Sequence, residues 1–490
     1  MKNSVAKMTF AASAALLALF TGLGAPPHAV PENDLLRRID AVFADWDRTT
    51  TPGMSLAVVR DGTILHVRGY GLASLEWGVL NGPETVFDIG SISKQFTAAA
   101  VHILEHRGRL GLDDDIRTYL PEMPKYARPV TIRQLMHHTS GIRDYESLQW
   151  LAGELTDQGR HTNKDLLDLL ARQKGLNFPP GERLQYSNSG FTLLAVIVER
   201  VTGRSLGAFV RDNLFIPLGM SRTFILEDNR IVVKNRARGY SLRDGCFVLD
   251  ETLNESTGDG AVQTTVLDFV RWDRNFEDNR LELPDFLARM EEPGKLADGQ
   301  SASMPGGGEP RVYASGLVLG TYRGLKTVGH GGAYVGFRAG YLRFPEQKVS
   351  IILMANVADI NPMAYCERVA DVVLEKDFRE PPRLAPALPA NPDQVAAPAA
   401  PAVSGARLDA YAGEYFSEEL PASYALGVRE GRLRFVHDNP PSAEPLRQDG
   451  GDLFSFGRIQ IRFQRGRDGK ILGFTIESAQ AKGLSFRKVR

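Results

Sequence analysis

Three short strings in this chain carry side chains suited to acyl transfer: Ser91-Ile92-Ser93-Lys94, Tyr186-Ser187-Asn188 and His330-Gly331-Gly332. A serine hydroxyl becomes a competent nucleophile only when a neighbouring base takes its proton. If Ser91 opens a helix, Lys94 lies one turn along the same face, where its amine reaches the hydroxyl. The helix N-terminus then favours the negative charge that develops during attack. An unperturbed lysine, with a pKa of ~10.4, stays protonated at neutral pH. The chemistry therefore requires either burial of the amine or a proton relay. Tyr186 is the natural relay, and Asn188 offers an amide to orient substrate or lysine. The sequence leaves open whether Lys94 or Tyr186 is the base.

Each string alone is weak. A second S-x-x-K stands at Ser4 and Lys7, inside an apolar leader where no catalysis is expected. A lone Ser91 reads as a helix cap, and a lone His330-Gly331-Gly332 reads as a strand whose backbone must be approached closely. Order and joint occurrence carry the argument. Gly203-Arg204-Ser205-Leu206-Gly207 fits a G-x-S-x-G elbow, which needs a strand before it; a helix is expected there, so Gly203 reads as its stop and Ser205 as the next cap. His137-His138 has no third ligand at metal-binding spacing and reads as part of a structural turn through Gly141.

Elements that would position these groups follow from pattern. Residues 54–60 and 63–68 are β-rich runs around Asp61-Gly62, a hairpin signal. Apolar spacing predicts helices over 91–107 and 190–201, strands over 333–344 and 349–356, and a helix over 362–377. Strands at both ends with helices between imply an α+β plan, one sheet flanked by helices and a helical subdomain. Residues 1–29, with Lys2 and Lys7 ahead of an apolar run, read as a secretory signal, so the protein is expected to be exported to the periplasm or secreted. Residues 30–380 form the expected catalytic domain, and 381–404, rich in Pro and Ala, a linker. From 405 to 490, short β-like runs with turn signals such as Asp468-Gly469 predict a small antiparallel barrel of lipocalin-like kind.

The chain has 490 residues, and its 58 basic and 59 acidic residues give a formal charge of −1, which argues against a nucleic-acid partner. After the leader no apolar stretch approaches the ~20 residues of a membrane span. Cys246 and Cys366 make no disulfide framework, although an oxidising compartment would allow them to pair.

The segments Phe87–Lys94, 135–141, 186–188 and that of His330 resemble the class C β-lactamase family of penicillin-binding-protein-like hydrolases. The resemblance spans roughly 35–378. It implies a β-lactamase/transpeptidase-like sheet packed with a helical domain, the site in the cleft between them, and no metal or organic cofactor. It also implies Ser91 as nucleophile, Lys94 and Tyr186 as proton handlers, Asn188, His330 and Gly332 as substrate-orienting positions, and the backbone N–H groups of Ser91 and Ala333 as oxyanion hole. Where the lactamases carry Lys-Thr-Gly, this chain has His330-Gly331-Gly332, replacing a fixed cation with a mostly neutral imidazole. That pattern, with a C-terminal barrel, is similar to the D-aminopeptidase and esterase branches.

The expected activity is hydrolysis of an amide or ester through a Ser91 acyl-enzyme, on a D-amino-acid peptide or small ester that can be cell-wall derived. A β-lactamase or D-alanyl carboxypeptidase is the alternative within enzymes. A non-catalytic cell-wall-peptide binder is the alternative outside them. Oligomeric state is not written in the sequence.

Overall fold

The computed structural model describes residues 32–153, 159–304, 310–381, 408–436 and 445–490. The expected signal, 1–29, and nearly all of the expected linker, 381–404, lie outside the described residues.

A seven-stranded sheet forms the backbone of the larger part. Its spatial order is Val312–Tyr313, Val318–Tyr322, Leu325–Tyr334, Phe337–Phe344, Val349–Ala355, Met54–Arg60 and Thr63–Tyr70. The sheet thus joins the two ends of this region, with every neighbouring pair antiparallel. Asp61 and Gly62 both adopt positive φ, the two-residue turn that suits the twist of a hairpin. Val349–Ala355 is buried at every position. Continuous burial follows because the Pro362–Val373 helix packs on one side of the sheet and the Val266–Asp278 helix packs on the other.

The expected strand over 333–344 is instead a hairpin. Leu325–Tyr334 ends, the chain turns through Val335 and Gly336, and Phe337–Phe344 runs back. A side chain at Gly336 would sit 2.3 Å from the Tyr240 nitrogen, so the turn is pressed against Gly239 and the start of strand Tyr240–Arg243, where only glycine fits.

Helices fill the space beside this sheet. Lys94–His106 is buried from Lys94 through Leu104 and packs against Asn188–Thr202. The helix is buried all round although it carries Lys94, Gln95, Thr97 and His102, and its run of Ala98, Ala99 and Ala100 lets neighbours approach closely.

The C-terminal region is an eight-stranded antiparallel sheet running from Gly413–Ser417 to Lys482–Lys488 in sequence. Its edge strands, Arg432–Phe435 and Arg447–Gly450, approach where the Leu446 N–H donates to the Leu433 carbonyl at 2.8 Å, so the barrel is nearly closed. Ile459, Ile461 and Phe463 are buried while Gln460, Arg462 and Gln464 are exposed, the period-two pattern of a barrel wall. Tyr415, Tyr424, Phe474 and Phe486 stack inside it. The barrel's apolar interior is continuous with the core of the helical region. Cys246 is exposed and Cys366 buried, both as free thiols.

Candidate functional site

Ser91 does not begin the long helix. It lies in a 3-10 turn, Gly90–Ser93, that runs directly into Lys94–His106. The tighter turn still brings Lys94 onto the serine's face: Lys94 Nζ lies 3.0 Å from Ser91 Oγ. The same nitrogen donates to Asn188 Oδ1 and to the Asp259 carbonyl, each at 2.8 Å. Both of these partners can only accept. They use two N–H bonds and direct the third position, N–H or lone pair, at the serine. Lys94 is wholly buried, so this geometry is held in a water-poor setting.

Two glycines bring the third string to the serine. A Cβ on Gly332 would lie 2.0 Å from the Ile89 carbonyl oxygen, and one on Gly90 would lie 2.7 Å from the Ala333 nitrogen. Strand Leu325–Tyr334 can therefore press its backbone against the Ser91 turn, setting Ala333 N beside Gly90 and Ser91. Gly90 has φ of +49°, and Asp88 Oδ1 accepts its N–H at 2.8 Å, which fixes the turn's entry.

The Tyr186-Ser187-Asn188 string is pinned by its own backbone at successive residues. The Ser187 N–H donates to His138 Nδ1 at 3.2 Å, and the Asn188 N–H donates to Asp144 Oδ2 at 2.6 Å. The Tyr186 carbonyl accepts from Gln480 Nε2 at 3.2 Å. Lys94 Nζ stands over the Tyr186 ring, 5.1 Å from its centroid. The Tyr186 hydroxyl is buried and has no partner among the described residues.

His330 is buried beside Tyr186, their ring centroids 6.2 Å apart, where Tyr313 O–H donates to its Nε2 at 3.2 Å and its Nδ1 faces the Gly331 carbonyl at 2.5 Å. A carbonyl only accepts, so the proton sits on Nδ1. Burial first, then the nearby Lys94 charge, lowers the His330 pKa to about 4. The imidazole is thus neutral at pH 7, and Gly332 acts through close approach.

The cleft itself, about 110 Å³, is lined by Ser91, Asn188, Ala333, Tyr145, Glu146 and Asp259 together with further loop residues. Sequence reasoning missed its carboxyl groups. Asp144 is buried, which raises its pKa, and Glu146 is pushed up to about 8 by burial and then by the charges of Asp144 and Asp259. Tyr145 O–H donates to Asp259 Oδ2 at 2.9 Å. The sequence clue to Asp259 is its setting between Gly258 and Gly260: Gly258 has φ of +105° and lies against the Phe191 carbonyl, a conformation that serves to aim the next residue's carbonyl at Lys94.

The other motifs resolve structurally. Ser205 accepts the Ala208 N–H as a helix cap after Gly203 ends the preceding helix, so no nucleophile elbow forms. His137 and His138 are buried, and no metal-binding group of His, Cys, Asp or Glu exists among the described residues.

Burial of histidines has a consequence for acid stability. His330, near 4, and His137, lowered to about 3 by burial, are neutral in the fold but protonate near 6.5 when unfolded. Their contribution to stability is complete above pH ~6.5 and declines as pH falls toward 4. Glu146, held protonated in the fold, contributes the opposite slope over this range, so the readout is the difference between two proteins: urea midpoints should fall more steeply, or rise less, from pH 7 to 5 in wild type than in His330→Gln. The same pH dependence in both would contradict the neutral burial of this ring.

Comparison with known proteins places the chain. The Beta-lactamase family model matches residues 39–374. Penicillin-binding protein 4* of Bacillus subtilis is 30% identical over 314 residues, covering 60% of this chain and 66% of that protein. The D-aminopeptidase of Brucella ovis is 30% identical over 308 residues, covering 62% of this chain and 56% of that protein. The chain thus matches less than two thirds of the length of either relative. In fold, it is similar to an octameric penicillin-binding protein homologue from Pyrococcus abyssi, with a TM-score of 0.61 at 22% identity, over 94% of this chain and 100% of that one. It is also similar to the D-amino acid amidase of Ochrobactrum anthropi SV3, with a TM-score of 0.58 at 23% identity, over 70% of this chain and 99% of that one. With the family model matched across most of the region that builds the cleft, the chain belongs to the Beta-lactamase family.

Proposed function

We propose that the protein is an exported serine hydrolase that cleaves an amide or ester next to a free amino group, with D-amino-acid amides or short peptides as the favoured substrates. The observation that carries the hydrolase reading is the buried Lys94 amine held 3.0 Å from Ser91 Oγ by two acceptor-only partners. Ser91 Oγ attacks the carbonyl carbon and its proton passes to the base, for which Lys94 Nζ stands 3.0 Å away. The Ser91 and Ala333 N–H groups stabilise the oxyanion. The proton then goes to the leaving amine or alcohol, with the unpartnered Tyr186 hydroxyl as relay, and water releases the acyl group from Ser91 by the same steps in reverse.

Charge in the cleft supports the substrate class. His330 is neutral, and the side chains lining the cleft include four acids, Asp88, Glu146, Glu251 and Asp259, against one cation, Arg236, whose charge acts on the neighbouring Asp88. Glu251, another lining residue, is already engaged by Arg238 at 2.8 Å. Glu146 faces the cleft and accepts a hydrogen bond from the Asn188 side chain. A substrate ammonium beside it would favour its ionised form and form a charge-assisted contact. The names of the D-aminopeptidase and D-amino acid amidase relatives point the same way. Export rests on the basic, apolar leader, and N-terminal sequencing of protein from the medium or periplasm tests it.

The discriminating assay compares a D-amino-acid amide, its N-acetyl form and a chromogenic cephalosporin. The free amine is expected to have kcat/KM about tenfold or more above the others. Glu146→Gln should lower that value about tenfold and leave the N-acetyl substrate unchanged. A cephalosporin turned over best would reverse the substrate assignment in favour of a β-lactamase.

A further inference from the structure

The three backbone restraints on the Tyr186-Ser187-Asn188 string come from different parts of the chain, and one of them belongs to the barrel. His138 holds Ser187 and Asp144 holds Asn188, both from the helical region. Tyr186 is held by Gln480, in the turn between strands Ile471–Glu477 and Lys482–Lys488.

Gln480 places both ends of its side-chain amide and its backbone carbonyl on the helical region that builds the site. Its Nε2 donates to the Tyr186 carbonyl at 3.2 Å, and its Oε1 accepts from Ser147 Oγ at 3.3 Å. A carbonyl can only accept, so this network fixes which end of the amide is which. Its backbone carbonyl accepts the Asp144 N–H and Asn177 Nδ2, both at 3.0 Å. The turn is itself stiffened: Ser478 Oγ and Ala481 exchange hydrogen bonds at 2.9 and 3.0 Å, and the Lys482 N–H donates to Asn177 Oδ1 at 2.9 Å. Beside it, Gln185 Nε2 donates to the Ala479 carbonyl.

We infer that Gln480 is a positioning residue for catalysis: the barrel sets the Tyr186 peptide, and with it the relay hydroxyl, relative to the Ser91–Lys94 pair. The inference rests on the proposed acyl-transfer reading. Tyr186 O–H has no described partner of its own, so the ring's stacking and this carbonyl bond decide where the hydroxyl sits. A small shift there changes the reacting geometry, to which rates are steeply sensitive. Both ends of the Gln480 side chain are engaged by the Tyr186 carbonyl and Ser147 Oγ instead of being free for a ligand, so the loss should fall on kcat and not on KM.

The test uses Gln480→Glu and Gln480→Met in the full chain, with a fluorophosphonate probe for Ser91 acylation and steady-state kinetics on a D-amino-acid amide. Gln480→Glu keeps the acceptor for Ser147 and loses the donor to Tyr186. Both variants are expected to slow probe acylation and lower kcat about tenfold, with KM unchanged and a Tm close to wild type for Gln480→Glu. Wild-type rates in Gln480→Glu, beside a wild type that labels at Ser91, would overturn the positioning role alone. Rates that fall only in proportion to lost folded protein would do the same, because they mark a merely structural residue. A wild type that does not label at Ser91 would overturn the acyl-transfer reading and this role with it.

Discussion

Lys94→Met is expected to leave a folded protein whose acylation rate is lower by about 10²–10⁴, the range that positioned proton transfer supplies. The fold should survive because the site is wholly buried and methionine fills nearly the same volume. The variant leaves Asn188 Oδ1 and the Asp259 carbonyl without their donor, at about 1–3 kcal/mol each. It also removes a buried amine, whose desolvation works against the native state. The two effects oppose, so the change in stability should be small beside the change in rate. Lys94→Arg is the informative companion. Guanidinium keeps a cation near Ser91 but cannot be deprotonated in a protein. If Lys94 only supplied positive charge, the arginine variant would retain much of the activity; if it accepts the Ser91 proton, both variants should be equally slow. Stopped-flow acylation by a fluorophosphonate, with Tm measured alongside, separates these cases. Labelling of Lys94→Met within tenfold of wild type would remove Lys94 from the proton path and return the role to Tyr186.

What could be read from sequence divides along range of interaction. Ser91 and Lys94 are three residues apart, so local helical geometry alone brings them together. The Asp61-Gly62 hairpin, the Gly203 helix stop and the Ser205 cap are likewise local, and the structure has them where turn and cap chemistry put them. The strand over 333–344 was misread for the converse reason. Its break at Val335 and Gly336 lies against Gly239 and Tyr240, distant in sequence. The carboxyl groups of the cleft were invisible for the same cause. The Asp259 carboxyl meets the Tyr145 hydroxyl across 114 residues, and no spacing rule reaches that far. His330 shows a subtler limit. Its neutrality was legible from residue type, but its burial beside Tyr186 depends on register with Tyr341 and on the Tyr313 hydroxyl.

Removing Glu419 should show that the barrel and the helical region hold each other together. Arg143 Nη1 donates to Glu419 Oε2 at 2.6 Å, with the two side chains only 3% and 4% exposed. The Lys174 N–H donates to the same carboxylate oxygen at 2.8 Å, and Gln173 Nε2 reaches the Glu419 carbonyl at 2.9 Å. Such a pair, once buried, is costly to break from one side, because the remaining Arg143 charge keeps only the neutral Gln173 amide oxygen, 2.9 Å away. Glu419→Ala is therefore expected to destabilise the protein by about 3–5 kcal/mol in urea. Replacing both charges, as Arg143→Met with Glu419→Leu, should recover most of that loss. The damage would reach the site, since Arg143 precedes Asp144, whose carboxylate holds the Asn188 N–H, and its own carbonyl accepts from Ser189 Oγ at 2.8 Å. Stacking of Trp150 on Phe456 and the Tyr424 hydroxyl donating to the Leu151 carbonyl add apolar and polar contacts along the same seam. On this basis truncation near residue 402, which a Pro- and Ala-rich linker makes tempting, should expose the seam and yield aggregated protein. A truncated chain that folds and labels at Ser91, or a Glu419→Ala variant destabilised by less than about 1 kcal/mol, would instead show that the barrel is an independent unit that leans on the catalytic region without supporting it.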